Sequence, residues 1–375
     1  MRKISNLFHC FLICAALLFS FKSFAVDCSS NGLTLTNTSD GMPTASCSSD
    51  ISMGNNTTGV TFSNYPLRSS GSISLGDTIN TINTANILLG SPSAVLWANN
   101  YPTVSGGTGS IGQTNNIINM GNISAGADSY GISFNNYGGV AGGTGSVGNT
   151  INTINSGNIS LGNNSFGVNF LNYSGVTGGT GSLGNTFNTI STGNIYTGNS
   201  SYGVKFLNYP ATINIGSVGD INNTVNTGNI STGNSSYGVY YLNYPAITNN
   251  GSFASTNNTL NINGNITTGD SSTGIYFKNY PGISGGTGSF GAINNIFNIN
   301  GNISTGSNSK AIYLINAPTQ TGGSGSFGEI KNIININGNI STGSNLTSYA
   351  IYADNSSSTG SNIVQLNKGA SVIGT

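Results

Sequence analysis

The tripeptide Gly-Asn-Ile returns at Gly121, Gly157, Gly193, Gly228, Gly264, Gly301 and Gly338, after a degenerate copy at Ala85-Asn86-Ile87; successive spacings are 36, 36, 36, 35, 36, 37 and 37 residues. A period this constant means that each unit is one supersecondary element, too small to bury its apolar face alone but able to do so against its neighbours. Changes of one residue in the period fit loop adjustments rather than new elements. A typical copy, residues 149–184, reads NTINTINSGNIS, then LGNNSFGVNFLNY, then SGVTGGTGSLG.

The middle segment identifies the element. Val168 and Phe170 alternate with Gly167, Asn169 and Leu171, and the same pair of positions is read as Val60/Phe62, Val95/Trp97, Ile132/Phe134, Val204/Phe206, Val239/Tyr241, Ile275/Phe277, Ile312/Leu314 and Ile351/Ala353. Period-two alternation of β-branched and large apolar residues predicts a half-buried strand. The abundance of Gly, Asn, Ser and Thr argues against helix. The segment before the anchor predicts a second strand. Phe297, Ile299, Gly301 and Ile303 alternate there, whereas Ile151 and Ile154 stand three apart and suggest a bulge or corner. The segment GGTGSLG predicts a glycine turn with a short third strand near Leu183. The expected fold is therefore all-β: a right-handed parallel β-helix over residues 55–375, with one or two coils per repeat. Equivalent side chains should form columns along it. Asn122, Asn158, Asn194, Asn229, Asn265, Asn302 and Asn339 are expected to form one of amides.

Upstream of the repeats, Arg2 and Lys3 precede an apolar run of about 15 residues, Leu7 to Phe21, and Ser23-Phe24-Ala25 supplies a small-x-small site. Residues 1–25 are thus expected to be a secretory signal peptide, and residues 26–54 an N-terminal capping segment. The mature chain keeps Cys28 and Cys47, and export to an oxidising compartment predicts a disulfide between them.

The unit resembles the passenger domains of autotransporters, the type V secreted proteins of Gram-negative bacteria. The resemblance lies in Asn-x-Gly-Asn-Ile-Ser, a short polar corner, then Tyr-Gly-Ile/Val-Tyr-Phe, as at Asn263 to Thr267 followed by Gly274 to Phe277. It implies a secreted or cell-surface location, on the exterior of a bacterial outer membrane, and an adhesin-like role. Family members cross the outer membrane through a C-terminal β-barrel of the same chain. The last stretch here, Asn362 to Thr375, still reads as solenoid, so the expectation is either a fragment or export through a separate outer-membrane transporter.

Chemistry-bearing residues are scarce. Only 5% of residues are charged, and the single histidine, His9, lies in the signal. Without histidine the mature chain offers no base for a nucleophilic triad and no Cys/His metal site. The basic residues after cleavage, Arg68, Lys205, Lys278, Lys310, Lys331 and Lys368, are scattered, which argues against nucleic acid as a partner. Asp77, Asp220 and Glu329 share a repeat position but lie coils apart, too far to act as a carboxylate pair. The GGTGS stretches lack the aspartate of calcium-binding glycine-rich repeats. No cofactor or metal is expected, and the chain is read as non-enzymatic. A polysaccharide-processing β-helix enzyme, or a structural spacer or ice-binding solenoid, are the alternative readings.

The tyrosines stand out. Tyr65, Tyr101, Tyr137, Tyr173, Tyr209, Tyr244 and Tyr280 share one repeat position, expected at a corner. Tyr240, Tyr276, Tyr313 and Tyr352 fall between the inward positions of the middle strand and should face outward. Aromatic stacking that stiffens the rod accounts for such columns. The second column is also the candidate ligand-binding strip, with a host or environmental glycan or a surface protein as partner.

Overall fold

The computed structural model describes residues 23–25, 30, 32–38, 41–69, 72, 74–345, 347–355, 360–367 and 369–373. Most of the expected signal (1–22) and Cys28 lie outside the described residues. Cys47 is disulfide-bonded. Ser23–Ala25 pairs with Thr44, Ala45 and Ser46.

All the pairings among the described strands are parallel, and through the repeats each strand pairs with its equivalent one repeat away. Ile154 lies between Ile118 and Ile190, for example, and Val168 between Ile132 and Val204. Each repeat therefore makes one coil of a parallel β-solenoid, about nine turns in all, and at the usual strand spacing of about 4.8 Å the rod is about 40 Å long. No described residue is helical. Solenoid pairing begins upstream of residue 55, since Leu33–Asn37 pairs with Val60 to Asn64 and Ile51–Met53 with Ile87 to Leu89.

A coil contains five strands rather than two or three. In the typical copy these are Thr150–Asn155, Ile159–Leu161, Phe166–Asn172, Gly175–Thr177 and Ser182–Leu183, which contribute to five sheets numbered first to fifth in that order. Three of them have only two or three residues, too few for alternation to register in a sequence. The one-residue changes in period do fall at a corner. Thr177 pairs with Ile213 at 36 residues and Ser182 with Ser217 at 35, so a residue is lost from the glycine turn between the fourth and fifth sheets.

Two apolar clusters fill the rod. The larger lies among the first three sheets and contains a ring stack, Phe134–Phe170–Phe206–Tyr241–Phe277, with centroids 5.5, 4.7, 4.8 and 5.2 Å apart. Each buried Phe contributes about 1.5–3 kcal/mol. The smaller cluster lies between the fourth and fifth sheets, around Val140, Val147, Val176 and Leu183.

Asparagine ladders run between the clusters. In the first sheet Asn80, Asn116, Asn152, Asn188, Asn223, Asn258, Asn295 and Asn332 point inward, each donating from Nδ2 to the next Oδ1 at 2.6–2.8 Å. The third sheet ends in a second buried ladder, from Asn64 through Asn100, Asn136, Asn172, Asn208, Asn243 and Asn279 to Asn316. Asn37, in register with Asn64, donates instead across to Asn80 of the first-sheet ladder, and Asn64 Oδ1 accepts nothing. Both buried ladders donate toward the C-terminal end. Outward-facing asparagines donate the other way, as Asn119 to Asn83, Asn261 to Asn226 and Asn298 to Asn261.

These ladders correct two readings of the sequence. Thr150–Asn155 has no bulge, because Thr150, Asn152 and Ile154 face inward and Ile151 outward; an inward asparagine broke the apolar pattern. The anchor asparagines do form a column, but mainly as backbone caps: the Asn158 and Asn194 amide N–H groups donate to Oδ1 of Asn122 and Asn158, at 2.9 and 2.8 Å. Among these anchors a side-chain amide bond joins Asn229 to Asn194.

Candidate functional site

On a third-sheet strand such as Tyr202–Asn208, Gly203, Val204, Phe206 and Asn208 are buried, while Tyr202, Lys205 and Leu207 face outward, with Tyr209 at the following corner. Repetition turns these outward positions into four parallel columns along the rod.

The corner column is a continuous stack: Tyr65, Tyr101, Tyr137, Tyr173, Tyr209, Tyr244 and Tyr280, with centroids 4.7–5.3 Å apart. It is not tucked away, for Tyr65 and Tyr173 are 36% and 38% exposed. Tyr240, Tyr276, Tyr313 and Tyr352 stack in an outward column at 4.9, 5.2 and 4.8 Å. A third aromatic column, Tyr130–Phe166–Tyr202–Tyr237, stacks at 4.8, 5.0 and 5.1 Å along the opposite margin. It escaped the sequence reading because Phe interrupts the tyrosines and a glycine follows each ring, which hides the alternation. Tyr202 and Tyr237 meet Tyr240 edge-on, so the two columns interlock.

The position that carries Tyr240 in later coils carries a tryptophan and then three non-aromatic residues before it. Trp97, Ser133, Asn169 and Lys205 are register partners in successive coils. This revises the pairing of Val95 with Trp97: Leu96 and Ala98 are the partners of Ile132 and Phe134, while Trp97 faces outward and is 38% exposed. Four consecutive apolar residues, Val95 to Ala98, left the phase of the alternation undetermined in the sequence.

The result is a trough of about 540 Å³ with Tyr130 as one wall and Tyr101, Tyr137 and Tyr173 as the other. Ser133, Asn135, Asn169 and Leu171 line it between those walls, with Trp97 and Lys205 toward its two ends. Asn135 and Asn169 are only 6% and 7% exposed although they face outward, because the walls cover them. Asn135 donates to Asn99 at 2.9 Å and Asn169 to Ser133 at 3.4 Å, but neither Oδ1 accepts a hydrogen bond. A buried acceptor left unpaired costs about 1–3 kcal/mol.

Charge on this face is sparse and engaged with rings. The Lys205 ammonium lies 4.9 Å from the Phe166 centroid and 5.4 Å from that of Tyr202, and burial lowers its pKa. Lys278 lies over Tyr276, and Lys310 over Tyr313 at 4.2 Å. Burial, then neighbouring phenols, raises the pKa of Tyr101, Tyr137, Tyr202 and Tyr240, and pushes Tyr276 up to about 12. All these rings are neutral phenols near pH 7.

One carboxylate, Asp354, lies on this face, in register with Ile315 and Lys278 and near enough to Tyr313 to help raise its pKa; others sit on corners. Asp77 and Asp220 accept the backbone N–H groups of Gln113 and Ser255 at 2.7 and 2.8 Å, as Asn149 accepts that of Asn185. Asp270 accepts from Ser307 in the same way. Among the described residues, no three of His, Cys, Asp and Glu come together as a metal site would require.

Comparison with known proteins gave no relative. No protein-family model matches the chain, and no match was found among curated proteins or solved structures.

Proposed function

We propose that this chain is a non-enzymatic interaction rod, exported to the cell surface or beyond, that engages a glycan or surface protein through the outer face of its third sheet. The carrying observation is the run of outward aromatic columns on that sheet, from Tyr65 at one end of the rod to Tyr352 at the other. Stacking alone would explain one column; a corner column flanked first by the Tyr130–Tyr237 column, across a trough, and then by the Tyr240–Tyr352 column makes a surface with a shape. The passenger-like repeat and the Arg2–Ala25 segment support export. The engagement of Asp77, Asp220 and Asp270 as corner caps supports a role without catalysis.

Because the rings stack on one another along the rod, their faces are largely occupied and their edges and hydroxyls point outward. The positive ring edge and the phenol donor favour a partner rich in oxygen acceptors. The test is binding of the exported full chain to a glycan array and to cells before and after enzymatic removal of surface glycans. It is compared with a variant carrying Tyr→Ser at positions 240, 276, 313 and 352. Binding that weakens in a still-folded variant supports the reading, and its sensitivity to glycan removal separates the two partner classes. Absence of binding to arrays and cells alike would reduce the columns to a stiffening device and overturn the proposal.

A further inference from the structure

We propose that the trough between Trp97 and Lys205 is a binding site for a short neutral oligosaccharide lying along the rod axis, an inference that rests on the interaction reading above and gives it a location. Four observations point there. First, the site is bounded. Trp97, Ser133, Asn169 and Lys205 are three coil steps apart from end to end, about 14 Å at the usual strand spacing, and Tyr240 fills the same position one coil further on.

Second, the floor is polar and carries no charge of its own. Ser133, Asn135 and Asn169 line it, and Asn135 and Asn169 donate to Asn99 and Ser133 along the rod. Hydroxyl and amide groups of this kind exchange hydrogen bonds with sugar hydroxyls in either direction. Third, the walls present ring edges and phenol hydroxyls, suited to ether and hydroxyl oxygens. Fourth, the one charged group lining the trough, Lys205, already lies over Phe166 and Tyr202, which leaves little call for an anion.

Periodicity then separates a sugar chain from an extended peptide. The floor repeats once per coil, about 4.8 Å, whereas same-side groups of an extended peptide recur every two residues, about 6.6 Å. The two fall out of step within two coils. A sugar carries several hydroxyls on each unit and can meet the floor without that constraint.

Trp97 is the only tryptophan in the chain, so its fluorescence reports the site directly. The experiment titrates the full chain with neutral hexasaccharides built on glucose, mannose, galactose and N-acetylglucosamine. Oligogalacturonate and an uncharged Gly/Ser peptide serve as the other arms. One variant combines Ser133→Tyr and Asn169→Tyr, which continue the Tyr240–Tyr352 column into the trough at positions where later coils already hold tyrosine. A second combines Asn135→Ala and Asn169→Ala. Thermal melts confirm that both variants fold.

The expected result is a saturable change in Trp97 emission with at least one neutral hexasaccharide. Binding should be abolished by the tyrosine pair and weakened about tenfold or more by the alanine pair. Binding that survives the tyrosine pair would place the glycan elsewhere and overturn the trough while the interaction rod stands. A response to the peptide or to oligogalacturonate alone would overturn the neutral sugar as occupant. No response to any probe, with glycan-array binding retained, also removes the trough and leaves the rod. Loss of both removes the rod as well.

Discussion

Asn152 occupies an interior position of the first sheet where an aliphatic residue would pack, and it is held there by two bonds of 2.7 Å, one accepted from Asn116 and one donated to Asn188. Asn152→Ala would leave an orphaned donor above and an orphaned acceptor below, at a cost of about 2–5 kcal/mol. The corner change Asn158→Ala removes the Oδ1 that accepts the exposed Asn194 backbone N–H and should cost about 1 kcal/mol. Hydrogen exchange of the flanking coils would report the difference. Tyr241 presents the opposite case. Its ring belongs to the phenylalanine stack, while its hydroxyl is buried beside Asn223 without hydrogen-bonding geometry. Tyr241→Phe should therefore be neutral or raise stability by up to about 1 kcal/mol in thermal melts. Residues of this kind mark where sequence reading stopped. Ile151 looked like core and Asn152 like surface, and only the amide ladder inverts them. Trp97 looked like core because Val95 and Leu96 are both apolar; the register of the neighbouring coil turns it outward.

At the scale of elements, the long third-sheet strands were legible because seven residues give alternation room to declare itself, while the two- and three-residue strands were not. The corners behave as separate parts. The first residue of the glycine turn is Gly142 or Gly178 in two coils and Asn214 or Asn249 in the next two, all with φ between 71° and 78°. Gly178→Asn should accordingly be close to neutral, and Gly178→Val, a β-branched residue forced into the same region, should cost about 1–2 kcal/mol. Its neighbour allows less. A Cβ on Gly179 would overlap the Gly143 carbonyl oxygen of the preceding coil, so Gly179→Ala should cost about 2 kcal/mol or more despite its small size. Protease sensitivity at this corner, compared across the three variants, would order them. The candidate site follows the same logic. Two of its columns were visible from tyrosine spacing, whereas the trough depends on rings missing from the earlier coils of one of them, the Tyr240 column, and a missing ring leaves no motif.

For the whole molecule, neighbour-to-neighbour contact means that stability is a sum over coils and that damage stays local. One response is shared by many coils. Burial raises the pKa of Tyr101, Tyr137, Tyr202, Tyr209, Tyr240, Tyr244, Tyr276 and Tyr313 above the ordinary phenol value of 10.0. Above that value the unfolded chain gives up protons that the folded chain keeps, so unfolding becomes easier. Stability should be unaffected by these groups below pH 10 and decline as pH rises toward 12, where Tyr276 ionises in the fold. Melting temperature followed with phenolate absorbance across that range would check it. The amide ladders carry a different consequence. In the two buried ladders each Nδ2 points toward the C-terminal end and each Oδ1 toward the other, in a low dielectric, while the opposed outer amides are partly reached by water. The two ends of each buried column therefore differ: one ends on an amide donor and the other on an acceptor, so a coil added at one end meets different chemistry from a coil added at the other.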